Sequence, residues 1–452
     1  MPGPRGANPT PGGPFVRESA VEPAHATGNG ALPVRAAVRL SAPPIGRLAL
    51  GFTLPDSLRS LRHRNYRLLF IGNLVSNTGD WMDQIAFNWL VYLLTDSAIY
   101  LGLVNLARWL PILIFTLVGG VVADRWERRR LMFTTQAIAM VLALTLAVLD
   151  VTGLIQIWMV LAIAAGRGIM MSFNQPAKQG LVSDLVPPQD LRNAIGLNST
   201  QFNLTRIIGP AIGGLLIATV GIAGAFFLNA VSFIAVLWSL AAMDIPPRRA
   251  VGNRSVLDDI KGGVNYVRTQ PVLQGLLVLA LLPVGLGLPY MTMLTVFARD
   301  VLRVGGSGLG LLTACSSLGA VGGALYVAAA TNVRRGWLML AAIVMFGLAL
   351  FGFALSSWVW FSALMLLIVG ISQQVYMTTN NTVVQEIVDE EYRGRVLSIV
   401  FLNRSMIPLG TMLAGFGTAA FGVQPTMAAM AAALVLTGLL AARLSPAARE
   451  VD

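Results

Sequence analysis

The sequence predicts an all-α membrane protein whose twelve transmembrane helices form two pseudo-symmetric halves of six. The chain has 452 residues, of which 55% are hydrophobic and only 12% are charged, whereas soluble domains are about a quarter charged. Its mean hydropathy is +0.70. Apolar segments long enough to cross a hydrocarbon core of about 30 Å recur from Leu68 onward. We therefore expect the lipid bilayer to surround most of the chain.

Twelve apolar segments of this kind can be assigned. Each is predicted to form one membrane-spanning helix, because a helix rises about 1.5 Å per residue. In chain order the segments are residues 68–94, 99–123, 131–149, 157–175, 196–218, 226–243, 271–297, 309–330, 337–355, 358–377, 396–420 and 426–442.

A longer polar stretch divides the chain after the sixth segment. We expect residues 56–243 to form an N-terminal six-helix bundle and residues 271–442 a C-terminal one, joined by a cytoplasmic linker, residues 244–270. Residues 1–55 are rich in Pro, Gly, Ala and Arg and contain no apolar run, which predicts a disordered cytoplasmic tail. Residues 443–452 are expected to form a second cytoplasmic tail.

Basic residues predict the orientation. With the N-terminus inside, the cytoplasmic loops hold 15 Lys and Arg residues, whereas the opposite loops hold only Arg299 and Arg303. Positive residues are retained on the cytoplasmic side. We therefore expect a multi-pass protein of the cytoplasmic membrane with both termini inside. The net charge of +11 then reflects topology, and no nucleic-acid partner is expected.

The two halves contain a repeat. A shift of 202 residues lays GIMMSFNQPAKQGLVSDLV, residues 168–186, over GISQQVYMTTNNTVVQEIV, residues 370–388, and pairs Asp184 with Glu386. Parallel repeats of six spans are typical of rocking transporters, whose substrate site lies between the halves near the membrane midplane.

Several kinds of chemistry lack the residues they need. Cys315 is the single cysteine and His25 and His63 are the only histidines, so we expect no disulfide framework and no Cys/His metal site. Neither Lys178 nor Lys261 ends a phosphate-binding loop. Because no nucleophile-base-acid set is evident either, we expect no cofactor and no enzymatic activity. Uphill transport would then need an ion gradient.

The loop between the second and third predicted spans carries the most specific motif. Within GGVVADRWERRRLM, residues 119–132, five residues follow the spacing G-x-x-x-D-R-x-x-R-R, namely Gly120, Asp124, Arg125, Arg128 and Arg129. This pattern resembles the loop signature of the major facilitator superfamily, although Glu127 stands where the signature has a glycine. The resemblance extends from about residue 58 to the end and implies the major facilitator fold.

We expect the loop residues to form a conformational latch. A carboxylate such as Asp124 can accept hydrogen bonds from the free N–H groups at the start of a neighbouring helix. The resemblance implies that this helix is the eleventh, near Val396, and that the latch stabilises the outward-open state. Lys178 is a further candidate partner. The alternative is that these charges only anchor the topology.

The fifth predicted span contains a second motif. RIIGPAIGGLL resembles the antiporter motif of the same superfamily, although Thr205 stands at its first glycine position. Glycines permit close helix contact, and a proline interrupts the backbone hydrogen bonds. The resemblance implies export, and a purely packing role is the alternative. The motif residues are Arg206, Gly209, Pro210, Gly213 and Gly214.

Ionisable residues within the spans are candidate functional residues because they are costly in hydrocarbon. We assign Asp80, Asp83, Arg108 and Arg167 to proton coupling. The two carboxylates lie three residues apart on one helix face and can share a proton, and their depth brings Asp80 within reach of Arg108. Arg167 resembles in position the fourth-span arginine of the superfamily. The alternative is a permanent structural pair between Asp80 and Arg108.

Polar residues in three spans predict a substrate cavity. Four arginines within the spans outnumber two carboxylates, so we expect an anionic or amphiphilic small-molecule substrate. For the tenth-span residues, hydrogen bonding between helices is the alternative. The cavity residues are Asn77, Gln84, Asn88, Gln373, Gln374, Tyr376 and Arg404.

Together these features predict a secondary active transporter that exports small amphiphilic molecules, siderophore-like or drug-like, by proton antiport with alternating access. The stretch SLRSLRHRNYRLLFIGNLVSNTGDW, residues 57–81, is similar to the drug:proton antiporter branch that contains the enterobactin-exporter and macrolide-efflux group. Two alternatives stay open. One is a lipid or lysophospholipid flippase, and the other is a non-transporting membrane sensor whose N-terminal tail recruits a partner.

Overall fold

A computed structural model describes residues 56–244, 265–330, 333–389, 392 and 406–444. All regular secondary structure in these residues is helical, as predicted. The predicted N-terminal tail, most of the linker, Val396 and Arg404 lie outside the described residues. The helices of the first half are α1 (Arg64–Thr95), α2 (Ala98–Arg125), α3 (Arg128–Val151), α4 (Ile157–Leu185), α5 (Leu191–Thr219) and α6 (Gly221–Ala241).

The second half follows the same order. Its helices are α7 (residues 271–301, in several helical segments), α8 (Gly305–Ala329), α9 (Arg335–Leu355), α10 (Val359–Ile387), α11 (Met406–Phe421) and α12 (Val423–Leu444). Two short 3-10 helices, Asp56–Arg62 and Pro188–Asp190, precede α1 and α5.

The helices fit the predicted spans in number and order. Ten of the described helical segments are long and apolar enough to cross a membrane, and α11 is a shorter apolar helix. α1 has 32 residues, which is ample length, but it is not among the ten because polar residues interrupt its apolar sequence. Several helices continue past the predicted ends: α4 reaches Leu185 and α10 reaches Ile387. Hydropathy marks only the part of a helix that lies in hydrocarbon, whereas backbone hydrogen bonding continues beyond it.

α7 is the irregular helix of the second half. Its two α-helical parts, Pro271–Leu282 and Tyr290–Val296, are each followed by a π-helical turn. Proline removes a backbone donor, so the chain rewinds locally at Pro283, whose carbonyl accepts a bond of 3.1 Å from the N–H of Leu288.

The repeat seen in the sequence has a structural counterpart. In the first half α2 packs on α4, and in the second half α8 packs on α10. Gly168 of α4 lies directly against the backbone carbonyl of Arg108, and Gly370 of α10 lies in the same way against the carbonyl of Ser316. A Cβ atom at either position would overlap that carbonyl. The 202-residue shift therefore pairs two glycines that make the same close helix–helix contact in their own halves. This equivalence confirms the pseudo-symmetry.

The two ends of the bundle differ in charge. At one end, called the basic end here, α1 and α3 begin and α4 and α6 finish. Arg59 pairs with Asp190 at 2.8 Å there, and Arg129 donates to the carbonyl of Ala241 at 3.1 Å. The α1–α2 connection and the last turn of α7 lie at the opposite end.

The two halves meet near the opposite end. Gly214 of α5 lies against the backbone of Gly310 on α8, and Gly415 of α11 lies against the backbone of Ala98 on α2. These two contacts are related by the repeat, because α2 corresponds to α8 and α5 to α11. The end of α1 also contacts the end of α7 through an ion pair. The described contacts therefore join the halves where the basic residues are few.

Candidate functional site

A polar face of α1 forms one side of the candidate site. Asn77, Asp80, Gln84 and Asn88 recur every three or four residues, so they share one helix face. Gln84 donates from its amide nitrogen to Asn88 Oδ1 at 3.2 Å and accepts a hydrogen bond from the guanidinium of Arg108 on α2. The polar contact between α1 and α2 is thus a hydrogen bond from the Arg108 guanidinium to the Gln84 amide oxygen.

The buried ion pair of this region joins Asp83 to Arg167. The guanidinium of Arg167 on α4 contacts both carboxylate oxygens, and its Nη2–Oδ1 distance is 2.9 Å. Asp83 is 3% exposed, and the guanidinium also lies 5.4 Å from the ring centroid of Phe87. A bidentate ion pair of this kind fixes the orientation of both side chains.

The structure does not contain the Asp80–Arg108 pair that the depth estimate suggested. Asp80 has no ion pair with any described residue, and Arg108 donates to Gln84 instead. Depth along a helix does not fix the direction of a side chain around it, and Asp83, not Asp80, points to an arginine. The two carboxylates thus have different surroundings.

Asp80 is exposed although it lies within the bundle. The charged groups in electrostatic range of it are Asp83, Arg108, Arg167 and Lys178, from α1, α2 and α4. These neighbours place the carboxylate on the inner side of α1. For Lys178, which the sequence suggested as a partner of the Asp124 loop, Asp80 is the carboxylate in electrostatic range.

A second polar cluster lies where α5 approaches the second half. Arg206 makes no hydrogen bond or ion pair with any described residue, and its Nε is buried. Tyr290 of α7 lies within electrostatic range of it. The Tyr290 hydroxyl is 2.5 Å from Ser316 Oγ on α8 and donates to Gln373 Oε1 on α10 at 3.3 Å. Gln373 was predicted from the sequence, whereas Tyr290 and Ser316 were not.

The glycines of the fifth-span motif pack helices together. Gly209 lies against Trp81 and the carbonyl of Thr78, and Gly213 against the backbone of Met82, so both bring α5 close to α1. Gly214 instead faces α8. These contacts fit the packing alternative, and the export role implied by the resemblance stays a prediction.

The other tenth-span residues bond within or between helices. Gln374 donates to Thr378 at 3.0 Å on the same helix. Tyr376 is 2% exposed, and its hydroxyl is 3.5 Å from the carbonyl of Leu279 on α7. The surroundings of Tyr376 fit the alternative of interhelical hydrogen bonding better than a place in an open cavity.

The arginines of the loop motif contact the first half at the basic end. Arg128 pairs with Asp184 at 2.9 Å and donates to the carbonyl of Gly180 at 3.0 Å. Arg130 pairs with Glu127 at 2.6 Å, and Gly120 has open space where a side chain would stand. The side chain of Asp124 lies outside the described residues, as does the start of the predicted eleventh span. The latch therefore stays a prediction.

The pair at the end of α4 recurs in the second half. Arg335 at the start of α9 pairs with Glu386 at the end of α10, as Arg128 at the start of α3 pairs with Asp184. The sequence repeat matched Asp184 with Glu386, but it did not reveal their arginine partners. The sequence did contain an indication of these partners, because the third helix of each half begins with an arginine, Arg128 in α3 and Arg335 in α9.

Comparison with known proteins identifies the family. Residues 56–451 match the family described as transmembrane secretion effector. The staphyloferrin A transporter of Staphylococcus aureus is 30% identical over 372 residues, which cover 80% of this chain and 90% of that protein. The multidrug efflux pump Tap of Mycolicibacterium fortuitum is 30% identical over 403 residues, 85% of this chain and 96% of the pump.

The fold agrees with this assignment. A bacterial homologue of the human lysosomal transporter Spinster, in its inward-facing and unoccupied conformation, matches with a TM-score of 0.70 at 16% identity, covering 86% of this chain and 98% of that one. The chain is a multi-pass membrane transporter of the major facilitator fold. It belongs to the transmembrane secretion effector family of the major facilitator superfamily.

Proposed function

We propose that this protein exports small amphiphilic molecules across the cytoplasmic membrane by proton antiport with alternating access. The observation that carries the proposal is the exposed carboxylate of Asp80 on the inner side of α1, which has no ion pair with any described residue. An ionisable group within a transporter bundle is a candidate for ion coupling. The names of the relatives, a staphyloferrin A transporter and a multidrug efflux pump, support a small-molecule substrate.

The orientation follows from the basic residues. We assign the basic end to the cytoplasm, because Lys and Arg are retained on that side. The two halves touch near the opposite end, so the protein has the arrangement of a transporter closed to the outside. Rocking of the halves would separate the α5–α8 and α2–α11 contacts and expose the inner face of α1 to the other side.

The two carboxylates of α1 have different tasks in this proposal. Asp83 is held by both terminal nitrogens, Nη1 and Nη2, of the Arg167 guanidinium, so its proton exchange would need that pair to break. Asp80 is exposed and has no ion pair with a described residue. We therefore assign the exchanged proton to Asp80 and a structural task to the Asp83–Arg167 pair.

The substrate is expected to be anionic or amphiphilic. Arg108 and Arg206 lack an ion pair with any described residue, and Lys178 has only Asp80 in range. An excess of positive charge in a region of low polarity favours an anion and disfavours a lipophilic cation.

Transport in inverted membrane vesicles tests the proposal. In vesicles energised to be acidic inside, the wild-type protein should accumulate the anionic amphiphile dansylglycine, and a protonophore should abolish the accumulation. Asp80→Asn should lose the gradient-driven accumulation, whereas Asp244→Asn, which removes an exposed carboxylate at the basic end, should retain it. Equal accumulation with and without the protonophore would refute antiport. Gradient-independent movement of a labelled phospholipid would favour the flippase alternative.

A further inference from the structure

Arg206 differs from the other described cations inside the bundle. Arg167 is paired with Asp83, and Asp80 lies within range of both Arg108 and Lys178. For Arg206, the group in electrostatic range is the phenol of Tyr290, and no described carboxylate contributes. An arginine stays charged in proteins and carries five N–H donors. A cation with a buried Nε and no bonded partner is costly unless another group binds it.

The register of α5 against α8 locates this cation. The two helices run antiparallel: Ile217 contacts Gly306, Gly214 contacts Gly310, and the carbonyl of Pro210 also faces Gly310. Arg206 lies one turn before Pro210, on the same side of α5. One further turn along α8 reaches Ala314, two residues before Ser316. Arg206 therefore lies one turn further from the opposite end than the glycine contacts between α5 and α8.

The second half presents a hydrogen-bonded group in electrostatic range of Arg206. Tyr290 is 1% exposed and is fixed by Ser316 and Gln373. Because its hydroxyl is buried, Tyr290 is not the main contact for a ligand. Its oxygen lies in electrostatic range of the Arg206 guanidinium without a hydrogen bond to it, and its partial negative charge favours that guanidinium. Arg206 itself is half-buried and its Nε has no hydrogen-bond partner among the described residues, so its side chain, and not the Tyr290 hydroxyl, is the group available to a ligand.

We propose that Arg206 is the anion-binding residue of the transport site, that it takes a carboxylate of the substrate, and that Tyr290 of the other half positions it. This inference rests on the proposed export of amphiphiles. A carboxylate matches the planar guanidinium with two parallel hydrogen bonds. Because the binding residue and its positioning residue lie on different halves, a bound carboxylate would link substrate occupancy to the approach of the halves.

Equilibrium binding of a matched pair of probes tests the subsite. The full-length protein is placed in nanodiscs of uncharged phosphatidylcholine, and the fluorescence of dansylglycine, an anion, is compared with that of dansylamide, its neutral analogue. Arg206→Gln should raise the dissociation constant for dansylglycine about tenfold or more and leave that for dansylamide within about twofold. Tyr290→Phe should weaken dansylglycine binding about threefold, again without affecting dansylamide.

Two further variants complete the design. Arg268→Gln removes an exposed charge far from the site and should bind both probes as the wild type does. Arg206→Lys keeps the charge but cannot form the bidentate hydrogen bonds, so it should bind dansylglycine with intermediate affinity. If Arg206→Gln does not elute as a single species, the affinity of Arg206→Lys tests the subsite in its place. Equal dansylglycine affinity in wild type and Arg206 variants, equal weakening of both probes, or no saturable dansylglycine binding to the wild type would overturn the subsite. Binding is measured without a gradient, so a failure of proton-driven transport would refute the proposed function and leave this result standing.

Discussion

Arg299 and Asp96 form an ion pair of 2.8 Å that joins the end of α7 to the connection between α1 and α2. The same guanidinium donates to the carbonyl of Tyr92 at 3.2 Å and lies 5.0 Å from the ring centroid of that residue. The Tyr92 hydroxyl in turn donates to Asp300. These four side chains belong to both halves and lie at the opposite end. They must separate whenever that end opens.

Removing the Arg299 charge should favour opening at the opposite end. Asp96 is mostly exposed, and a surface ion pair contributes only about 0–1 kcal/mol, so Arg299→Gln should shift the equilibrium about threefold to fivefold. A cysteine at Thr292, which is buried beside Asn105 between the halves, reports the opening. In a Cys315→Ser background, an impermeant maleimide should label this cysteine several-fold faster in Arg299→Gln cells.

Arg303 supplies the control for this experiment. It is an exposed cation four residues further along the chain, so Arg303→Gln makes the same charge change without breaking the Arg299–Asp96 pair. The labelling rate should then equal that of the parent. A rate that does not change in Arg299→Gln would mean that the cluster does not hold the opposite end closed.

The orientation can be tested with two exposed positions. In the Cys315→Ser background, a cysteine at Ser307, near the start of α8, should react with an impermeant reagent in intact cells. A cysteine at Trp126, which is 66% exposed at the basic end, should react only after the cells are opened. The reverse pattern would place the basic end outside and overturn the orientation drawn from the charge asymmetry.

The fold could be predicted from the sequence because its main signals are local. Runs of apolar residues mark the membrane spans. The match of Gly168 with Gly370 already identified the two glycines at which α4 packs on α2 and α10 packs on α8. Helix ends were less accurate, since polar residues such as Asp184 continue a helix without adding hydropathy. The composition of α1 shows the same effect, because its polar face lowers the hydropathy of a helix that is long enough to span.

The site was predicted less completely, because pairing depends on directions that spacing does not fix. Asp80, Asp83, Arg108 and Arg167 were all identified as interior charges, yet the sequence paired Asp80 with Arg108, and the structure pairs Asp83 with Arg167. Tyr290 belongs to no sequence motif, so there was no reason to select it from the sequence. Its relation to Arg206 arises only when α5 packs against the second half, which is information that lies in the tertiary structure.

The Asp83–Arg167 pair should matter more for stability than for coupling. Asp83→Asn leaves the guanidinium of Arg167 buried without its counter-charge, which should cost about 3 kcal/mol and lower the melting temperature of the purified protein. Asp80→Asn should leave the melting temperature nearly unchanged, because Asp80 is exposed and has no ion pair with a described residue. The double variant Asp83→Asn/Arg167→Gln should recover part of the loss. Equal melting temperatures for Asp83→Asn and Asp80→Asn would contradict the assignment of a structural role to Asp83 and a coupling role to Asp80.

The two repeated ion pairs at the basic end should contribute unequally, because their burial differs. The side chain of Asp184 is 12% exposed and that of Arg128 27%, whereas Glu386 is 52% exposed and Arg335 38%. Water and salt screen the second pair more strongly. Asp184→Asn should therefore lower the stability by about 2 kcal/mol, and Glu386→Gln by less than about 0.5 kcal/mol. Thermal melts at low and high salt check both values, since only the Glu386 pair should weaken noticeably as salt is added. A larger loss for Glu386→Gln than for Asp184→Asn would show that the pairs serve different tasks despite their matching positions in the repeat.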